Sequence, residues 1–296
     1  MLSLLNQMPG SVAQGLVWGI MAIGVFLTYK ILDYADLTVD GSIATGGAVA
    51  AMCILGGMNP YLALLCAFLS GMAAGLVTGI LHTVLGIPPI LSGILTQLAL
   101  YSVNMRIMGK SNMAVSVDDY SLVVSSRYIP AAILAVGIMT AVLIGVLYWF
   151  FGTELGYAIR ATGNNHNMAR AQGINTNSAK LLGLVLSNGF VALAGGLLAQ
   201  YNGAADVKMG QGAIVIGLAA VIIGDVLFGK LFRNFALRLL GVVLGAIIYY
   251  VIIAIVIWLG LTNTDLKLFS ALIVAMFLAV PHLRATYFKR GAKVHA

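Results

Sequence analysis

Apolar stretches about as long as a lipid bilayer is thick recur from one end of this chain to the other. They leave little freedom in what it can fold into. A helix needs roughly 20 apolar residues to cross about 30 Å of hydrocarbon. Such runs lie near 12–32, 42–56, 60–84, 88–106, 129–151, 179–200, 212–228, 236–259 and 266–282. In lipid every backbone N–H and C=O must be satisfied internally, so runs of this length predict helices. The expected fold is an all-α polytopic membrane protein, one transmembrane domain over residues 1–296, with about nine membrane-crossing helices (eight to ten, depending on how ambiguous runs divide). The runs 42–56 and 212–228 are short and interrupted by glycine, which predicts broken or tilted helices. Gly56-Gly57-Met58-Asn59-Pro60 and Gly86-Ile87-Pro88-Pro89 punctuate the pattern.

Composition agrees with a lipid-embedded chain. Of 296 residues, 61% are hydrophobic and 8% charged, where soluble domains average about 25% charged. The run Val12–Leu32 has no basic flank or small-residue cleavage site and is followed by similar runs, so it is expected to be a span and not a removable signal. Cys53 and Cys66 lie within apolar runs and read as reduced core thiols, and the four scattered histidines offer no metal-ligand spacing. The net charge of +7 is expected to reflect position along the membrane, with no nucleic-acid partner.

Basic residues orient the spans. Segments 152–178, 229–235 and 283–296 carry Arg160, Arg170, Lys230, Arg233, Arg284, Lys289, Arg290 and Lys293. The opposite segments hold Lys110, Arg127 and Lys208 against Asp118, Asp119, Asp206 and Asp265. The first set is therefore expected in the cytoplasm, with a basic cytoplasmic tail at 283–296. Nine spans put the N-terminus outside and place Asp33–Gly41 on the cytoplasmic side. Small residues at four-residue spacing, Gly71-x-x-x-Gly75-x-x-x-Gly79 and Gly241-x-x-x-Gly245, predict close helix approach, within one subunit or between two.

Polar residues at membrane depth need partners or a watery path. Asp33–Ser42 holds Asp36, Thr38, Asp40 and Ser42; it reads either as a loop with a helix N-cap at Asp40 or Ser42, or as a broken helix lining a path. In the helix begun by Pro88-Pro89, Ser92 and Thr96 lie along one face and Gln97, Tyr101 and Asn104 along another. That stripe suits either contact with a polar solute or interhelical hydrogen bonding. Ser187 and Asn188 sit in a run of small residues, and Gln200-Tyr201-Asn202 precede a glycine-rich outer loop that meets a partner or merely connects. No catalytic grouping and no phosphate-cradling Gly-x-x-x-x-Gly-Lys motif is present in the sequence, so uphill transport would need energy from another chain.

Glu154–Asn175 is a polar island between two spans. Leu155–Thr162 reads as helix and Gly163-Asn164-Asn165 as a break. Asn165 then caps a second short helix that runs to Gln172 and closes on Gly173 and Ile174 as a Schellman ending. Arg170 suits the negative end of that helix. Met168, Ala169 and Ala171 offer a small surface. Two turns are not stable alone, so this element reads as a capped connector or as a knob seated in a cytoplasmic partner.

The segment Thr153-Glu154-Leu155-Gly156-Tyr157-Ala158-Ile159-Arg160-Ala161-Thr162-Gly163-Asn164-Asn165, with Ala169 and Gly173-Ile174, resembles the cytoplasmic coupling segment of ABC-importer permeases of the branched-chain amino acid and ribose type. Residues 15–30, 35–51, 86–104 and 216–229 resemble other segments of that family in the same order, with an extra Asp40 and with Asp225 in place of a second glycine. The nearest branch is one associated with aromatic amino acids of the tryptophan and tyrosine type. The resemblance implies a bacterial plasma-membrane permease subunit that is not itself an enzyme. Two copies would form the pathway, two cytoplasmic ATPases carrying ATP and magnesium would dock on Glu154–Asn175, and an extracytoplasmic binding protein would deliver a small solute. An amino acid is the expected solute, with a nucleoside or sugar as alternatives. An ion-coupled secondary transporter and a non-transporting scaffold are the rival classes.

Overall fold

The computed structural model describes residues 2–117, 120–259 and 266–283. Each apolar run is a helix: α1 Leu2–Phe26, extended by a π-helical turn Leu27–Ile31, then α2 Val39–Leu55, α3 Pro60–Thr83, α4 Pro89–Met108 and α5 Ile129–Phe150. The polar island forms two short helices, α6 Glu154–Asn164 and α7 His166–Ala171. After them come α8 Thr176–Asn202, α9 Ala213–Phe228, α10 Phe235–Trp258 and α11 Leu266–Leu283. The chain is not purely helical. Strands β1 Asn112–Ala114 and β2 Ala204–Asp206 pair antiparallel, Asn112 opposite Asp206, and tie the loops after α4 and α8. The basic tail, 284–296, lies outside the described residues, as do Asp118, Asp119 and Asp265.

Local chemistry explains the boundaries. Asn59 accepts from the Tyr61 N–H and Pro60 opens α3; Pro88 is the N-cap of α4 and Pro89 its first residue, where a missing N–H costs nothing. α1, α3, α5, α8 and α10 are long and apolar enough to cross a membrane, so this is a multi-pass membrane protein. α2 and α9 are unbroken, against expectation, but of 17 and 16 residues; at 1.5 Å per residue each spans only about 25 Å. α4 has 20 residues but falls outside the apolar set, diluted by Ser92, Thr96, Gln97, Asn104 and Arg106.

α8 is the central post, buried throughout Ser187–Tyr201. α1, α2 and α3 surround it. A Cβ on Gly46 would run into the Ala192 carbonyl, and one on Gly71 or Gly75 into the carbonyls of Asn188 or Leu184. Backbones therefore touch, which is how helices associate when lipid removes the hydrophobic incentive. The Gly71/Gly75/Gly79 stripe is used inside the subunit, against α8.

The segment after α1 is a break between two helices, one of the two readings the sequence allowed. The π turn closes with Leu32 N–H donating to the Leu27 carbonyl at 3.0 Å, and Asp33 takes a left-handed φ of +52°. The chain then re-enters the bundle. Asp36, 2% exposed, lies beside Asn188, the middle of α8. Asp33 and Ala35 are exposed, but Tyr34, Asp36, Thr38 and Val39 are buried. Irregular backbone survives at such depth only when buried in protein, and here its polar groups find partners on neighbouring helices. The α2 N-cap is Thr38, not Asp40 or Ser42.

Candidate functional site

Each helix of the α6–α7 element is capped at its start by a side chain, and α7 is closed at its end by backbone hydrogen bonds. Thr153 Oγ1 accepts from the Gly156 N–H at 3.5 Å, and Asn165 Oδ1 accepts from the Met168 N–H at 3.0 Å. Gly173, φ +78°, donates to the Arg170 carbonyl and Ile174 to the Ala169 carbonyl, each at 3.0 Å. This is the Schellman pairing expected from Gly173-Ile174. Arg170 Nε donates to Thr176 Oγ1 at 3.3 Å, fastening α7 to the start of α8.

Two expectations change. Gly163 does not break the helix, which continues through Asn164. Its missing side chain lets α6 lie on the π turn, because a Cβ there would collide with the Ile31 carbonyl. Ala169 is fully buried and offers no surface, so the outward face of α7 consists of exposed Met168 (46%) with Arg170 and Ala171. Gly156 likewise has no room for a Cβ against Phe150 and Phe151.

Arg160 anchors the other flank. Its guanidinium lies 4.2 Å from the Phe235 ring centroid and 5.4 Å from that of Phe151, a cation–π stack. Burial, more than nearby Arg238, pulls its pKa below the ordinary value, but arginine stays cationic in proteins. An open groove of about 550 Å³ runs between the π turn and α6, lined by Tyr29, Lys30, Ile31, Asp33, Arg160, Gly163 and Asn164. Lys30 Nζ meets Asp225 Oδ2 at 2.8 Å beside it. Glu154, Asn164 and Asn165 are exposed and Ala161 is half-buried.

Inside the bundle, the polar residues singled out from sequence divide into two sets. The first set is satisfied internally. Asn188 Nδ2 donates to Asp36 Oδ2 at 2.7 Å while its Oδ1 accepts from Ser42 Oγ at 2.6 Å. The Thr38 N–H donates to Asp36 Oδ1 at 2.9 Å. Hydroxyls of Thr38, Thr78 and Thr96 form a chain at 2.8 and 2.9 Å, and Ser92 Oγ pairs with the Tyr34 hydroxyl at 2.9 Å. Tyr34 and Thr78 are not apparent from sequence; Thr78 sits one place before Gly79 in the glycine stripe, where a hydroxyl gives no separate signal.

The second set, Asp40, Gln97, Tyr101 and Asn104, lines a cavity of about 150 Å³ together with Gly41, Ala44, Leu98, Val207 and Gln211. Sequence reasoning missed Val207 and Gln211, which come from the loop before α9. Asp40 Oδ2 and Oδ1 accept from the N–H groups of Gly212 and Ile214, each at 2.9 Å, so the carboxylate caps α9, not its own helix. At the C-terminal end of α8, Gln200 accepts from the Val123 N–H at 2.9 Å and the Tyr201 hydroxyl donates to the Gly10 carbonyl at 3.3 Å, which ties neighbouring segments together.

The fold is thus a multi-pass membrane bundle with a capped helix pair and a polar interior cavity, an architecture that suits a membrane permease. The family model for the permease component of branched-chain amino acid transport systems matches residues 8–281. A tyrosine transport system permease protein of Clostridioides difficile is 41% identical over 95% of this chain and 93% of its own length. A fructose import permease protein of Bifidobacterium longum is 30% identical, over 81% of this chain and 67% of its own length. A D-allose transport system permease protein of Escherichia coli is 27% identical, over 82% and 74%. No solved structure matches. The chain belongs to the branched-chain amino acid/ribose-type permease family of ABC importers. Permease components of this kind are not enzymes and work with ATPase and binding-protein partners.

Proposed function

We propose that two copies of this chain form the pathway of an ABC importer for an amino acid, one with an aromatic side chain. Nine helices cross the bacterial plasma membrane, with the C-terminus in the cytoplasm. Two ATPase subunits, carrying the ATP and magnesium, seat on α6–α7, and an extracytoplasmic binding protein delivers the solute. Glu154, Gly156, Arg160, Ala161, Gly163, Asn164, Asn165, Ala169, Arg170, Gly173 and Ile174 build the docking element, some as contact and some as frame. The solute passes the face of Asp40, Gln97, Tyr101 and Asn104. Asp36, Thr38, Ser42, Ser92, Thr96 and Asn188 hold the helices that carry that face.

The observation that carries this reading is the α6–α7 element: a six-residue helix, capped at both ends, fastened to α8, beside a helix that rests on the π turn. So short a helix has no stability of its own, so its construction fits a receptor for force from outside the chain. Arg160→Ala removes the stack on Phe235, worth on the order of 1–2 kcal/mol, and should weaken co-purification of the ATPase roughly tenfold. Gly163→Val should abolish ATP-driven uptake. Both variants co-purifying and importing at the wild-type level would sink the coupling role, and uptake under an ion gradient without ATP would favour a secondary transporter. Since two relatives are named for sugars, the uptake panel includes fructose and allose beside tyrosine. A preference for either sugar would sink the amino acid assignment.

A further inference from the structure

The geometry points to the cavity between α2, α4 and the loop before α9 as a binding site for the cationic amino group of the solute, held by the Asp40 carboxylate and the Asn104 amide. The inference rests on the amino acid reading above and deepens it.

Asn104 is fully buried, and among the described residues neither its Oδ1 nor its Nδ2 has a hydrogen-bond partner. Buried amides in native proteins are nearly always bonded, and leaving one open costs on the order of 1–3 kcal/mol. Other buried polar side chains of the same bundle, Ser42, Asp36 and Asn188, are paired with one another. Asn104 is one of the residues that line the cavity. A cavity of about this size admits a benzene ring when its walls are apolar and then stays dry. Here the walls carry Asp40, Gln97, Tyr101, Asn104 and Gln211, so its natural occupant is polar.

Charge selects the occupant. Among the described residues that line the cavity, Asp40 is the one that carries a charge. The carboxylate oxygens accept backbone N–H groups from the start of α9, and a carboxylate has lone pairs for further donors beside them. With amide side chains in the same lining and no cation there, the site complements an ammonium group and repels a second carboxylate. Gly41 brings α4 close enough for this: a Cβ there would lie 3.1 Å from Gln97 Cα. Tyr101, 44% exposed, borders the mouth.

The test uses the full chain in membranes, with Cys53 and Cys66 replaced by alanine and Gln211→Cys labelled by a maleimide. L-Tyrosine and tyramine at millimolar concentration should slow labelling at least threefold, and 3-(4-hydroxyphenyl)propionate, which lacks the amine, should not. Asn104→Leu and Asp40→Asn should each remove the protection; asparagine retains one acceptor oxygen for the start of α9, so Asp40→Asn removes the charge while keeping part of the cap. Equilibrium binding of labelled tyramine to the purified chain, with and without Asp40→Asn, reads the same site without a cysteine: the substitution should weaken binding at least tenfold. Equal protection by the amine-free acid, no protection by either amine, or protection that survives both substitutions would overturn the inference. Tyrosine uptake by the complete importer separates the two levels. If tyrosine is imported while labelling stays unprotected, only the cavity assignment falls; if no amino acid is imported, the amino acid reading falls with it.

Discussion

Asn188 and Asn104 are the same residue type, both fully buried, both on long helices of one bundle. Asn188 has its nitrogen on Asp36 and its oxygen on Ser42; Asn104 has neither atom engaged among the described residues. The first belongs to a closed network that joins the re-entrant segment, α2 and α8, continued through Thr38, Thr78 and Thr96 to α3 and α4. The second is one of the residues that line a cavity. The difference separates two uses of polarity in a lipid-embedded fold: side chains that satisfy one another fix helix positions, and side chains left open are available to a visitor.

Three substitutions test that division, all nearly isosteric. Asn188→Leu should have the largest effect. It strips Asp36 Oδ2 and Ser42 Oγ of their shared partner, a loss of about 3 kcal/mol or more for two buried groups left unsatisfied. Thermal melting in detergent should drop steeply, and an unchanged melting curve would show that the network holds nothing together. Thr78→Val should come next. It removes the middle of the hydroxyl chain at a cost of about 1–2 kcal/mol, read from the same melts. Asn104→Leu should be mildest for stability, within about 1 kcal/mol either way, because no existing hydrogen bond is lost. A destabilisation as large as that of Asn188→Leu would erase the contrast between the two asparagines.

How much of this was visible in the sequence depended on the reach of each interaction. Helix starts at Pro60 and Pro89 and the Gly173-Ile174 ending are set by neighbours within a turn, and they appear where residue chemistry put them. The two faces of α4 also followed from helical spacing, with Ser92 and Thr96 on one and Gln97, Tyr101 and Asn104 on the other. What stayed hidden depends on distant partners. Asp36 finds Asn188 across 152 positions and Thr38 finds Thr78 across 40, so a stretch that looked like a hydrophilic loop is interior. Gly163 looked like a helix breaker because the Ile31 carbonyl it accommodates lies far away in sequence. Asp40 looked like the cap of its own helix, but its carboxylate serves one 172 positions on.

The contact of Gly163 with Ile31 has one more consequence. Ile31 and Asp40 are nine positions apart, and the strip between them is clamped at Asp36 and Thr38. One end of this strip forms the seat of the α6–α7 helix pair, and the other is a wall of the interior cavity. The strip works like a short tie-rod. Its two ends lie on one short stretch of chain, held in place between them by the hydrogen bonds of Asp36 and Thr38.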